Sequence, residues 1–415
     1  MRRMNIRRID ESLITRAGDL DHVLNNGDTI IEQGIEKLRR ERPAGEPDPY
    51  EYGVVKANIT DCLGCGYCNI GCKYGRKLSM LDEVLPCAQQ AHGPEKFRIF
   101  SEAKVTRLVS NTTGTFGKKI TEIVVEVGGK YELVIQNPKT VIVSAGTIAS
   151  SWLLMESGIG KDELPVGRGL SFNMGSPLYG VFPSKLNSYA GLQISHYLKV
   201  RNHPGFVMET WYNPPVAQAL SMPGWLDTHF KNMARYDQIA AAGILVGTKR
   251  NAHIARALLL KGAPDIVYTP DPEDLAKLAD ALVEFGKVLF SAGASEVFAS
   301  TRRYHTYSPQ TLSGKGIALD KDDLSQFHSL IKDERDILLG TGHPQGGNAI
   351  SKNRGKLRPN MEFTGGVIDP DFKVWGYDNL FVCDASVFPG SLTVNPQLTV
   401  MTMAQYAAPR INQFR

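Results

Sequence analysis

The segment that most restricts the fold is a short strand that runs through a turn of small residues into a helix. Thr140–Val143 is β-branched and apolar, Ser144-Ala145-Gly146-Thr147 is the turn, and Ile148-Ala149-Ser150-Ser151-Trp152-Leu153-Leu154-Met155 reads as a helix that stops at Ser157-Gly158. Doubly wound α/β domains use this strand–turn–helix arrangement to bring backbone up to a cofactor. Further strands are predicted at Phe97–Phe100, Val105–Val109, Ile120–Val127 and Tyr131–Ile135, all short and bounded by Asn and Gly. Near the C-terminus a second apolar strand, Leu380-Phe-Val-Cys383, ends at Asp384. The expected class is α/β, with an α+β part elsewhere in the chain.

At 415 residues the chain is long enough for two or three domains. Its net charge of +4 is small for that length, so neither nucleic acid nor an acidic membrane surface is implied as a partner. No run of 18 apolar residues occurs, so no membrane span is expected. The start, MRRMNIRRIDES, is basic without an apolar stretch and is not read as a secretory signal. Apolar residues from Leu13 to Leu38 recur at loosely helical spacing, and Pro43 to Pro49 breaks that pattern. Residues 171–270 are rich in proline and aromatics and read as a separate substrate-side region with long loops. One helix is well marked beyond it. Asp271 caps, Pro272 opens, Leu275, Leu278, Leu282, Phe285 and Leu289 form the apolar stripe, and Gly293 is the expected stop.

Two constellations carry chemistry. In the first, Cys62-x2-Cys65-x2-Cys68-x3-Cys72 has the spacing of a bacterial iron–sulfur run, except that Lys73 stands where proline usually follows. In two-cluster ferredoxins the fourth cysteine of such a run serves the other cluster, and no second run exists here, so Cys72 or Cys87 would have to close the site. Zinc is the alternative, although its usual paired C-x2-C knuckles are absent; a cysteine-rich loop with free thiols is the bland one. Five of the six cysteines lie between Cys62 and Cys87, which points to a local site with reduced thiols and hence to a cytoplasmic setting. The second constellation is His343, in Gly342-His-Pro-Gln-Gly-Gly347, with Asn395, in Thr393-Val-Asn-Pro-Gln-Leu-Thr399. A histidine near neutral pKa can take a hydroxyl proton, and an asparagine can orient the oxygen. The bland readings are a surface-loop histidine and a helix-capping asparagine. No G-x-G-x-x-G stands between a strand and a helix, and no Walker A occurs.

Taken together, these residues resemble the glucose–methanol–choline (GMC) family of flavin-dependent alcohol oxidoreductases. Gly146–Gly160 resembles that family's second signature. Gly366-Val-Ile-Asp-Pro370, Asp384-Ala-Ser-Val-Phe-Pro389 and Asn395-Pro-Gln-Leu-Thr399 resemble its C-terminal block in the right order, and His343-Pro-x-Gly-Gly347 resembles its catalytic loop. The cysteine string at 62–79 is similar to a loop of a bacterial branch. The likeness covers roughly 50–180 and 335–415, with 181–334 as a variable substrate domain.

The resemblance implies FAD as cofactor and a small-molecule alcohol, sterol or sugar as substrate. His343 would act as the base, shared with Asn395, while hydride passes to the flavin. Val105 would meet the adenine through its backbone, and Ala145 and Gly146 would lie near the adenosine half. Asp384 and Ala385 would hold the ribityl–pyrophosphate region, and Pro396 and Gln397 would border the isoalloxazine ring. It also implies an FAD-binding domain in two parts, 1–170 and 336–415, around a mainly antiparallel-sheet substrate domain at 171–335. The electron acceptor is not readable. A second reading makes the chain an electron-transfer subunit built around Cys62–Cys72. The departure from the family is its opening dinucleotide block. The expectation is that this sequence is part of a longer chain, since a doubly wound sheet without its central strand leaves unpaired edges. A partner subunit that completes the domain, or a fragment without flavin, are the other readings.

Overall fold

The computed structural model describes residues 24–55, 57–113, 117–161, 163–259, 262–301, 306–307, 321–358 and 362–414. The apolar positions at 13, 20 and 23 lie outside the described residues. The chain divides into two compact units.

The first unit gathers described residues of 24–98, 174–246 and 272–340. Its N-terminal helix, Asn26–Glu41, is capped by Asn25, whose side chain accepts from the Asp28 N–H at 3.0 Å. Arg39 and Arg40 in its last turn suit the negative end of the helix dipole. Ile31 and Ile35 are buried in the same core as Leu278, Leu282 and Phe285 of the helix Pro272–Ser291. Gly34 lies close to Val288 of that second helix and to Ala292 just beyond its end, where a side chain would collide with backbone. The stripe expected at 275–289 is buried along its length.

Against these helices runs a sheet in the order Tyr50–Val54, His196–Val200, Phe206–Thr210, Ile239–Gly247, Arg168–Val181, with Glu296–Ala299 on the last strand. Residues 174–181 of that last strand belong to this unit. The region expected to be loop-rich is therefore largely strand. Ile239–Gly247 is buried on both faces, so its sequence is a near-continuous apolar run without the period-two alternation that betrays a half-exposed strand. Phe97–Phe100, in contrast, forms no strand. The turn after the helix Val84–His92 uses that backbone instead, with the Phe97 N–H donating to the Gly93 carbonyl at 3.0 Å.

The second unit gathers 99–173, 247–271 and 341–415. Ala103–Thr113, Gly117–Val127 and Tyr131–Gln136 form an antiparallel sheet, with a register shift between Val105 and Arg107. Val141–Val143 pairs in parallel with Leu380–Val382 and leads into the helix Thr147–Glu156. The buried Asn379 side chain ties the two sheets together. It accepts from the Ile120 N–H at 2.8 Å and donates to the carbonyls of Ile120 (3.0 Å) and Pro138 (2.9 Å). Residues 168–173 pair with Ala252–Arg256 and with Pro344–Gly347, and the helix Gln397–Asn412 closes the chain.

These units cut across a division at 170 and 335. Residues 24–98 go with the central sheet because Ile31 and Ile35 are buried there, and 247–271 go with the flanking parts because Ala252 and His253 pair with Leu170 and Arg168. Among the described residues, no helix is long and apolar enough to cross a membrane.

Candidate functional site

The parallel pair in the second unit sets the site. Both strands run out at the same end, so their successors, Ser144-Ala145-Gly146 and Cys383-Asp384-Ala385, emerge together. Asp384 is buried, and its carboxylate joins the two turns. One oxygen accepts from the Gly146 N–H at 2.9 Å and from the Ser150 hydroxyl, and the other accepts from the Ser386 N–H at 2.8 Å. The Ser150 hydroxyl also accepts from the Ala145 N–H at 2.9 Å. Asp384 thus spends its lone pairs on the chain itself, leaving backbone as the surface these turns present. Burial pushes the neighbouring Cys383 thiol up to about 11, with the Asp384 charge adding to the effect.

Gly146 opens the helix Thr147–Glu156 at φ +87°, a conformation that disfavours any side chain. A Cβ there would meet nothing within 4 Å, so the side of Gly146 where a side chain would stand is open, while its N–H is taken by the Asp384 carboxylate. That is the environment in which a helix N-terminus receives a negatively charged group.

The first turn of this helix also reaches the histidine segment, since the Thr147 hydroxyl donates to the Pro344 carbonyl at 2.7 Å. His343 immediately precedes the strand Pro344–Gly347. Its N–H donates to the Thr341 hydroxyl at 3.0 Å, and its ring is half-buried. Nδ1 is buried and has no hydrogen-bond partner among the described residues. Burial holds the imidazole below its ordinary pKa, so it is neutral at pH 7.

Gln345, fully buried, anchors that strand. Its amide nitrogen donates to the Asn173 side-chain oxygen and to the His343 carbonyl (3.4 Å), and its amide oxygen accepts from the Leu392 N–H at 3.1 Å. Asn348, also fully buried, donates to the Ser151 and Ser386 hydroxyls at 3.0 Å each. Two buried amides therefore bind the histidine segment to the helix start, to the Asp384 turn and to the loop that leads to Asn395. Sequence reading missed Gln345, Asn348, Ser150, Ser151 and Ser386. Their only signal was a polar residue inside an otherwise small or apolar run.

The other expected residues are placed as follows. Asn395 is exposed, three residues beyond Leu392. Pro396 occupies the N-cap position of the helix Gln397–Asn412, so Asn395 is not its cap, and Gln397 is its exposed first residue. Ala145 is exposed, Gly146 and Ala385 half-buried. Val105 stands in the antiparallel sheet at the register shift.

Cys62, Cys65, Cys68 and Cys72 lie in the first unit and line one small cavity. Burial raises the Cys62 thiol pKa, with the other three cysteines adding to it. The Lys77 N–H, with other nearby backbone N–H groups, lowers that of Cys72. Among the described residues, no three His, Cys, Asp or Glu side chains are gathered to hold a single metal ion.

A parallel strand pair feeding a glycine-opened helix, with antiparallel sheets elsewhere in the chain, makes this a mixed α/β protein. Residues 32–174 match the N-terminal model of the GMC oxidoreductases, and residues 259–404 match the C-terminal one. The chain belongs to the GMC oxidoreductase family.

Its relatives include an uncharacterized GMC-type oxidoreductase of Mycobacterium tuberculosis, 26% identical over 84% of this chain and 50% of that protein. A long-chain-alcohol oxidase of Arabidopsis thaliana is 27% identical over 86% of this chain and 48% of its own length. The chain spans about half the length of these curated relatives. Among solved structures, pyridoxine 4-oxidase from Mesorbium loti superposes with a TM-score of 0.61 at 16% identity, covering 95% of this chain and 70% of that one. The formate oxidase of Aspergillus oryzae, studied for its FAD modification, gives 0.53 at 15% identity over 75% and 60%.

Proposed function

We propose that this chain forms part of an FAD-dependent oxidoreductase that acts on the CH–OH group of a small-molecule alcohol, with His343 as the base. The observation that carries this reading is the buried, unpartnered Nδ1 of a neutral His343, on a segment held by Gln345 and Asn348. A buried ring nitrogen without a partner is costly unless an incoming group supplies one. An alcohol hydroxyl is such a group, and a neutral imidazole can take its proton.

FAD, when bound, supplies the two-electron acceptor for the hydrogen that leaves the alcohol carbon. The residues present fit it at two places. The glycine-opened helix start at Gly146 suits its charged portion, and Val105 stands in an edge strand beside a register shift, where a base edge can approach. Ala385, Pro396 and Gln397 follow as further contacts from the family resemblance. Asn395 follows from the family resemblance as the residue that orients the alcohol oxygen; its loop is tied to the histidine segment through Leu392 and Gln345. The relative named for long-chain alcohols supports an alcohol as the substrate class. The electron acceptor is either oxygen or a further redox partner.

The test is His343→Ala in flavin-loaded protein. Turnover falls about 100- to 10,000-fold with the flavin content unchanged. Loss of flavin with the histidine, or a chain that takes up no FAD at all, would overturn the proposal.

A further inference from the structure

We propose that Cys62, Cys65, Cys68 and Cys72 hold an iron–sulfur cluster. This inference goes beyond the alcohol chemistry and does not depend on it, since the thiols lie in the first unit and His343 in the second.

Four observations carry it. The spacing x2, x2, x3 matches an iron–sulfur run, and the fold brings all four sulfurs to the wall of a single cavity. Backbone N–H groups already address the sulfurs, from Gly64 to Cys62 at 3.4 Å and from Arg76 to Cys72 at 3.3 Å. Gly64, Gly66, Gly71 and Gly75 all have positive φ. Turns of this kind form the N–H-lined concavities that receive phosphates and iron–sulfur centres. Finally, Arg76 and Lys77 also line the cavity, which suits a cluster made anionic by four thiolates.

The loop is also held in place more firmly than an idle surface loop requires. A Cβ on Gly66 would collide with the Tyr189 carbonyl oxygen, and Cys65 pairs with Gly191 through backbone. The Asn69 N–H donates to the Gln193 side-chain oxygen, and Gln193 donates in turn to Asn213 at 2.7 Å. Both amides are buried, Gln193 at 1% exposure and Asn213 at 4%.

The cavity is about 20 Å³, and the thiols are not gathered for a single ion. Metal sites are rarely preformed without their metal. Cluster uptake therefore moves Leu63 and Tyr67 out of the way, both of which line the cavity and are already half exposed.

The experiment is metal and acid-labile sulfide analysis of the full chain, purified anaerobically and then reconstituted with ferrous iron and sulfide. The expected result is about four iron and an equal amount of sulfide per chain, with an electron paramagnetic resonance signal after dithionite reduction. Cys65→Ser and Cys72→Ser lose iron and sulfide together, whereas Cys87→Ser, in the adjoining helix, keeps both. Should the serine variants fail to fold, alkylation of the loaded wild-type chain decides. The four loop thiols resist iodoacetamide while exposed Cys87 reacts. Iron at trace level after reconstitution, one zinc without sulfide, or loop thiols as reactive as Cys87 would each overturn the proposal.

Discussion

The helix Pro272–Ser291 in the first unit buries 10 of its 20 residues, whereas Gln397–Asn412 in the second buries 2 of 16. The strands differ in the same way. Ile239–Gly247 is buried or half-buried throughout, while every residue of Tyr131–Gln136 is exposed, and Ile142 in the parallel pair is half in solvent. The first unit packs its two longest helices on one broad sheet, and it also carries exposed apolar side chains, among them Leu220, Trp225 and Phe230. The second packs a smaller core around a polar hub and leaves one whole strand of its antiparallel sheet in solvent. The hub adds buried amides and a carboxylate to a core that includes Ile120, Leu154, Phe372 and Phe381.

That contrast can be broken or sharpened by mutation. The largest effect is expected from Phe285→Ala, which should cost about 3–5 kcal/mol in urea unfolding, because it empties a closed core. A cost below about 1 kcal/mol would show that the first unit is not the tightly packed one. Next comes Gln345→Ala, which strands the Leu392 N–H and leaves the Asn173 oxygen with the Ser391 hydroxyl alone. About 1–3 kcal/mol of stability is lost, and turnover falls as the histidine segment loosens. A variant with native stability and native turnover would remove the hub from the account. Leu133→Ser, on the exposed strand, should change stability by no more than about 0.5 kcal/mol while lowering the binding of an apolar dye. A large destabilisation there would mean the strand is covered.

The smallest effect is in pH. Burial lowers the His343 pKa, so the unfolded chain takes up that proton at a higher pH than the folded one. Its contribution to stability is complete above the unfolded value of about 6.5 and is lost as pH falls through the folded value. The rate follows the same sign, rising with pH and levelling off once the imidazole is neutral. A profile that falls between pH 6 and 7 would exclude His343 as the base.

Much of this was legible from local pattern. The helix at 272–291 declared itself through Asp271, Pro272 and its apolar stripe, and the strand–turn–helix at 140–156 through β-branched residues and Gly146. Patterns of this kind are set by neighbours three or four residues apart, and the chain states them directly. The buried strands at 168–181 and 239–247 were obscured because residues buried on both faces lose their alternation.

The sequence alone determined the residue types on offer: a histidine in a glycine-rich loop and an asparagine before a helix in one unit, four closely spaced cysteines in the other. Only the tertiary structure decided what they are joined to. Asp384 turns its carboxylate onto Gly146, 238 positions away, and Gln345 reaches Leu392 across 47. Contacts between distant segments depend on which strands pair and which turns emerge side by side, and no local rule of spacing encodes that.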